Sequence, residues 1–237
     1  MQNHRWLPQE AALRFVDARF AEASVAILAG SPVRGDATPT SDLDLVIVTS
    51  RPEAPYRESF VDFNWLVEAF VHTAKSLQEF FATDAKRRRP SLPRMCAEGI
   101  AIRDRDGLAV GIQREAAAIL QRGPEPFSRT ELEDIRYRIT DLLDDLVGSQ
   151  NRDETVFIAN DLAVAATELL LVTNGRWVGR GKWVVRTLRE FDLHRSDELV
   201  RAMHDACSEG ACDRLVTYAE SALETVGGRL FEGYRRG

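Results

Sequence analysis

Apolar positions along this chain follow two regimes. Up to about residue 121, short apolar runs of strand length alternate with stripes of helical period; beyond that point only the helical period remains. Residues 8–23 open with Pro8, continue with good helix formers and set Leu13, Val16 and Phe20 on one side, which predicts a helix packed on a sheet. Two apolar runs follow, 25–29 and 45–48, each short and sharply bounded, as buried strands are. Residues 63–72 are rich in β-formers and predict a third strand, interrupted by one acid, Glu68. A helix is expected over 75–83, a short edge strand over 99–104, a turn at Asp106-Gly107 and a helix over 108–121. Gly123-Pro124, with Pro126 after it, breaks the pattern and marks a domain boundary.

Past that boundary, Ser128 followed three residues on by Glu131 has the form of a capping box. It opens a helix striped by Leu132, Ile135, Ile139, Leu142, Leu143 and Leu146 and closed by Gly148. Residues 155–173 are apolar almost all round, which predicts the buried central helix of a bundle. Glu154, Asp161 and Glu168 recur on it every seven residues and share a face, either as a polar seam or as an acidic wall for a cationic ligand. A loop with two glycines, three cations and two tryptophans spans 176–183, and helices are expected over 184–190, 196–208 and 211–226. The expected fold is α+β: a mixed β-sheet domain with flanking helices over 1–123, then an α-helical bundle over 127–237.

The candidate chemistry lies between the first two strands. Gly30-Ser31 ends the first run, and Asp42 and Asp44 stand at the entrance to the second. Residues two apart on a strand point the same way, so these two carboxylates converge. At a separation of about 4 Å they would repel by roughly 4 kcal/mol at an effective dielectric of about 20. A hard divalent cation such as magnesium answers that repulsion, and backbone N–H groups at a glycine turn opening a helix make an anion site. Glu68, in the middle of a strand, needs either an exposed position or a charged partner.

Gly30-Ser31, Arg34-Gly35 and Ser41-Asp42-Leu43-Asp44 resemble the GS…RG…SDxD signature of the DNA polymerase β-like nucleotidyltransferase superfamily. The resemblance implies that Gly30, Ser31 and Arg34 meet nucleotide phosphates and that Asp42 and Asp44 bind magnesium. Glu68 matches the third carboxylate, as metal ligand or as base, with Asp62 a weaker rival. The 176–183 loop is similar to a GKW-type segment in the helical domains of antibiotic nucleotidyltransferases, which implies that Lys182 reaches the triphosphate. Taken together, the chain resembles enzymes that modify aminoglycosides or lincosamides, with Asp161 and Glu168 as acceptor contacts. The implied reaction moves a nucleoside monophosphate, AMP from ATP, to a hydroxyl and releases pyrophosphate. Two alternatives share the signature: an antitoxin-like enzyme that adenylylates a partner protein, and a nucleotide-binding regulator without chemistry.

Composition narrows the partners. The net charge of −6 and pI near 5.4 remove any bulk electrostatic reason to bind nucleic acid. The basic run 86–89 reads as a solvated loop, and His194 and His204 as surface residues. Cys96, Cys207 and Cys212 form no CxxC pair and read as free thiols. With no leader-like start and no uninterrupted apolar run of spanning length, a soluble cytoplasmic protein without a membrane partner is expected; nothing in the pattern indicates an oligomeric state.

Overall fold

The computed structural model describes residues 5–105 and 107–237, so Asp106 of the expected Asp106-Gly107 turn lies outside the described residues. The chain divides after Arg122 into two compact units.

The first unit is built on one sheet of β1 (Val25–Ala29), β2 (Leu43–Val48), β3 (Tyr56–Asp62), β4 (Trp65–His72) and β5 (Ile100–Asp104), in the order β3-β4-β2-β1-β5. β2 and β4 run parallel and the other neighbours antiparallel, so the sheet is mixed. Every residue of β1 is buried because both faces of the sheet are covered. On one face α1 (Pro8–Arg19) sets Phe15 and Val16 with Leu28, Leu45 and Val67. On the other, α3 (Ala74–Lys86), α4 (Ser91–Glu98) and α5 (Ala109–Arg122) bring Leu77, Phe81, Leu92 and Cys96 to Ile27 and Val46. Each fully buried side chain of this kind contributes about 1.5–3 kcal/mol.

Three elements depart from the sequence pattern, each for a local reason. α1 ends at Arg19 rather than running on, because Phe20 leaves the helix and turns into the core beside Phe15 and Phe60. β3 was not expected at all: it is an edge strand with a mostly exposed, polar sequence, YRESFVD, and only its pairing with β4 reveals it. Asp62, the weaker rival for the third carboxylate, is the last residue of β3 and is ion-paired with Arg19. α4 forms despite Pro90 and Pro93, since both lie where a helix has no backbone donor to lose, at the cap and in the first turn. Asp84 meets one of the unpaired donors of that turn, accepting from the Leu92 N–H at 2.8 Å. Lys86 of the basic run is the end of α3 rather than loop.

The second unit is helical: α6 (Arg129–Gly148), α7 (Arg152–Thr173), α8 (Lys182–Phe191), α9 (Leu193–Glu209) and α10 (Asp213–Glu224). The Ser128–Glu131 capping box is present in both directions, at 3.2 and 2.8 Å. α7 starts earlier than the apolar pattern suggests because Asn151 caps it, accepting from the Asp153 N–H at 3.0 Å. Its fully buried Leu162 and Leu169 sit in one cluster with residues of α6, α8, α9 and α10. α7 alone among the described helices has the length and hydropathy of a membrane span, and 56% of that stretch is buried inside this unit, as in a bundle's central helix.

Candidate functional site

The sheet's pairing brings three carboxylates together. β2 and β4 are parallel neighbours in which Asp44 stands directly beside Glu68, and Asp42, two residues before Asp44, enters on the same face. One carboxylate oxygen from each of Asp42, Asp44 and Glu68 lies within 4.8 Å of the other two. All three side chains are partly open to solvent rather than sealed in the core. Burial first, and then the negative charges of Asp42 and Glu68, push the Asp44 carboxyl up to about 6. The charges of Arg57 and Arg34 oppose that shift.

The donor set fits a hard divalent cation. Three carboxylate oxygens within 4.8 Å of one another, on side chains partly open to solvent, make a donor set of the kind that magnesium or manganese takes. The backbone is shaped around the same group. Gly30, at φ +85°, ends β1 next to Asp44, and a Cβ there would collide with the Asp44 carboxylate. Glycine is thus required twice at this position, for the left-handed backbone and for the room it leaves.

A single helical turn, α2 (Ser31–Arg34), follows Gly30. The Ser31 hydroxyl donates to the Ser41 hydroxyl at 2.8 Å, which also accepts from the Thr38 N–H at 2.8 Å. Ser41 therefore ties the glycine turn to the segment that delivers Asp42. Arg34 is partly exposed, lies 3.5 Å from Asp36, and its charge opposes the upward shift at Asp44.

Glu68 has the charged partner its place in a strand calls for: Arg57 of β3 pairs with it. In the antiparallel β3–β4 register Ser59 faces Glu68 and Arg57 faces Phe70, so Arg57 reaches its acid diagonally across the ladder while its guanidinium lies 4.8 Å over the Phe70 ring. Sequence reasoning passed over Arg57 because the strand that carries it has no apolar alternation to announce it. Ser41 stood inside the signature without a role, and Arg5, whose guanidinium reaches the same loop, gave no sign in the pattern.

The remaining candidates belong to the helical unit. Lys182 is the exposed first residue of α8, preceded by Gly181 at φ +56°, and forms no ion pair among the described residues. Gly179 packs so closely on α8 that a Cβ would collide with the Trp183 carbonyl, which accounts for the glycine there, and Trp177 is buried at 8% exposure. On α7, Asp161 is exposed and accepts from the Asn160 amide at 3.4 Å, and Glu168 is half-buried. His194 and His204 are exposed.

Comparison with known proteins bears on the first unit. The nucleotidyltransferase domain family matches residues 10–89, a span that includes the glycine turn and all three carboxylates. No curated protein matches the sequence. Among solved structures, the chain is similar to a nucleotidyltransferase-like protein from Exiguobacterium sibiricum 255-15, at 14% identity and a TM-score of 0.47, over 92% of this chain and 73% of that one.

Proposed function

From the match of residues 10–89 to the nucleotidyltransferase domain family we propose that the protein transfers a nucleoside monophosphate, AMP from ATP, to a hydroxyl of a small molecule and releases pyrophosphate. The observation that carries this reading is the convergence of Asp42, Asp44 and Glu68 beside the Gly30-Ser31 turn. A magnesium ion held by these three carboxylates would neutralise charge gathering on the transferring phosphate. Glu68 is assigned as the third ligand, and its ion pair with Arg57 competes with the metal for its charge.

The chain's own groups then position the reactants. The Ser31 N–H and, once turned away from Ser41, the Ser31 hydroxyl bind phosphate oxygens, since Pro32 has no N–H and those of Val33 and Arg34 donate to the Gly30 carbonyl, and Arg34 supplies positive charge to the triphosphate. The acceptor oxygen forms a bond to the α-phosphorus as the bond from that phosphorus to the bridging oxygen breaks; pyrophosphate leaves and the hydroxyl proton passes to solvent. Positioning and electrostatics are the protein's main contribution to such a transfer. The same reading has the protein working in the cytoplasm as a free enzyme, in keeping with its free cysteines.

The test is pyrophosphate release from each of the four nucleoside triphosphates with magnesium, against aminoglycosides, lincosamides and buffer alone. Release that depends on one drug and on ATP is the expected result. Silence across the panel, with triphosphate binding measured separately, would overturn the small-molecule acceptor in favour of a protein acceptor. Glu68→Gln separates its two possible roles: loss of manganese binding marks a ligand, whereas retained binding with lost turnover marks a base.

A further inference from the structure

The segment ahead of α1 is packed onto the same site. Trp6 lies edge-on to Phe63 in the β3–β4 turn, with ring centroids 6.4 Å apart, and its carbonyl accepts from the Trp65 indole N–H at 3.0 Å. The Arg5 guanidinium then rests on the Trp65 ring, 3.2 Å from its centroid. From that platform its fork donates to three carbonyls of one turn: Ser41 at 2.6 Å, Pro39 at 3.2 Å and Thr38 at 3.5 Å. Its Nε is buried without a partner, so the orientation is set by the outer nitrogens and the ring alone. Residues 36–40 are exposed and bury nothing that could hold them in place. The turn's position thus depends on polar contacts, and Ser41 is their hub, receiving the Thr38 N–H and the Ser31 hydroxyl.

We propose that Arg5 is a positioning residue for the nucleotide site, a strap that anchors on the β3–β4 hairpin and holds the Thr38–Ser41 turn, and through it the Ser31 hydroxyl and the Asp42 carboxylate, where metal and phosphate require them. The hairpin supplies Glu68 and the turn delivers Asp42, so one side chain joins the two segments that contribute carboxylates from either side of the cluster. The inference rests on the reading of Ser31 and Asp42 given above. Planarity matters as much as charge here, since a fork spread over three carbonyls and stacked on an indole has no equivalent in the point charge of a lysine.

The experiment uses the full-length protein with Arg5→Ala and Arg5→Lys. Hydrogen exchange is followed by mass spectrometry in peptides covering residues 36–42, and binding of a non-hydrolysable ATP analogue with magnesium by calorimetry. Arg5→Ala is expected to speed exchange in that segment by about tenfold and to weaken analogue binding by about tenfold, with exchange in β1, β2 and α1 unchanged. Arg5→Lys should recover only a minor part of either loss. Unchanged exchange over 36–42 would overturn the strap, and so would faster exchange spread through β1, β2 and α1, which marks a general structural role. Ser41→Ala, which removes the hub from the other side, should reproduce the local loosening and stands in should Arg5→Ala fail to fold. Wild-type protein that binds no triphosphate would overturn the functional reading alone, with the exchange result deciding the strap.

Discussion

Asp44 is half-buried between two other carboxylates, Asp42 and Glu68. Because its carboxyl is pushed up to about 6, above the ordinary value, folding favours the protonated form; the associated stability is present at low pH and lost as pH rises through 6. Asp44→Asn is therefore expected to abolish turnover while raising the melting temperature of the metal-free protein at pH 7.5, and to lose that advantage at pH 4; calorimetric melts at both pH values check it. Arg57→Gln removes the cation beside Glu68 and should tighten manganese binding several-fold, measured by titration calorimetry. His72 works in the opposite sense. It is 4% exposed against Phe80, and burial pushes its imidazole down to about 4. Its contribution, at most about 3 kcal/mol, is intact above the unfolded value near 6.5 and lost as pH falls through 4, so His72→Leu should flatten the acid side of the stability profile in urea titrations.

At the scale of elements, α7 decides whether the helical unit holds. Leu162 and Leu169 are fully buried and packed among residues from the other helices of that unit, so Leu169→Ala should cost about 2–5 kcal/mol, read from denaturant midpoints. Ser128→Ala, by contrast, removes one side of a capping box and should cost only about 1 kcal/mol. These two elements were legible beforehand because their signals are local: an apolar face of helical period and a Ser-x-x-Glu start. β3 and α4 were not. An exposed edge strand owes its existence to a neighbour's backbone rather than to its own side chains, and α4 carries prolines whose cost disappears only at a helix start.

For the molecule as a whole, charge sets the expectation about partners. A net charge of −6 concentrates no positive field for a polyanion, so neither DNA nor RNA should stimulate pyrophosphate release or bind more tightly than about 10⁻⁴ M at physiological salt, checked by fluorescence anisotropy. The sequence by itself determined the α+β fold class, the strand–turn–strand frame of Gly30, Ser31, Asp42 and Asp44, and the central helix, because strand alternation, helical period and glycine turns act over a few residues. Only the tertiary structure decided what meets those residues. The parallel register of β2 and β4 places Glu68 beside Asp44, the edge strand brings Arg57 to Glu68, and the segment ahead of α1 sets Arg5 on the turn before Asp42. Each of these contacts joins residues far apart in sequence or on a strand without a pattern, and hydrogen bonding between backbones, which no side-chain pattern encodes, fixes the register that creates them.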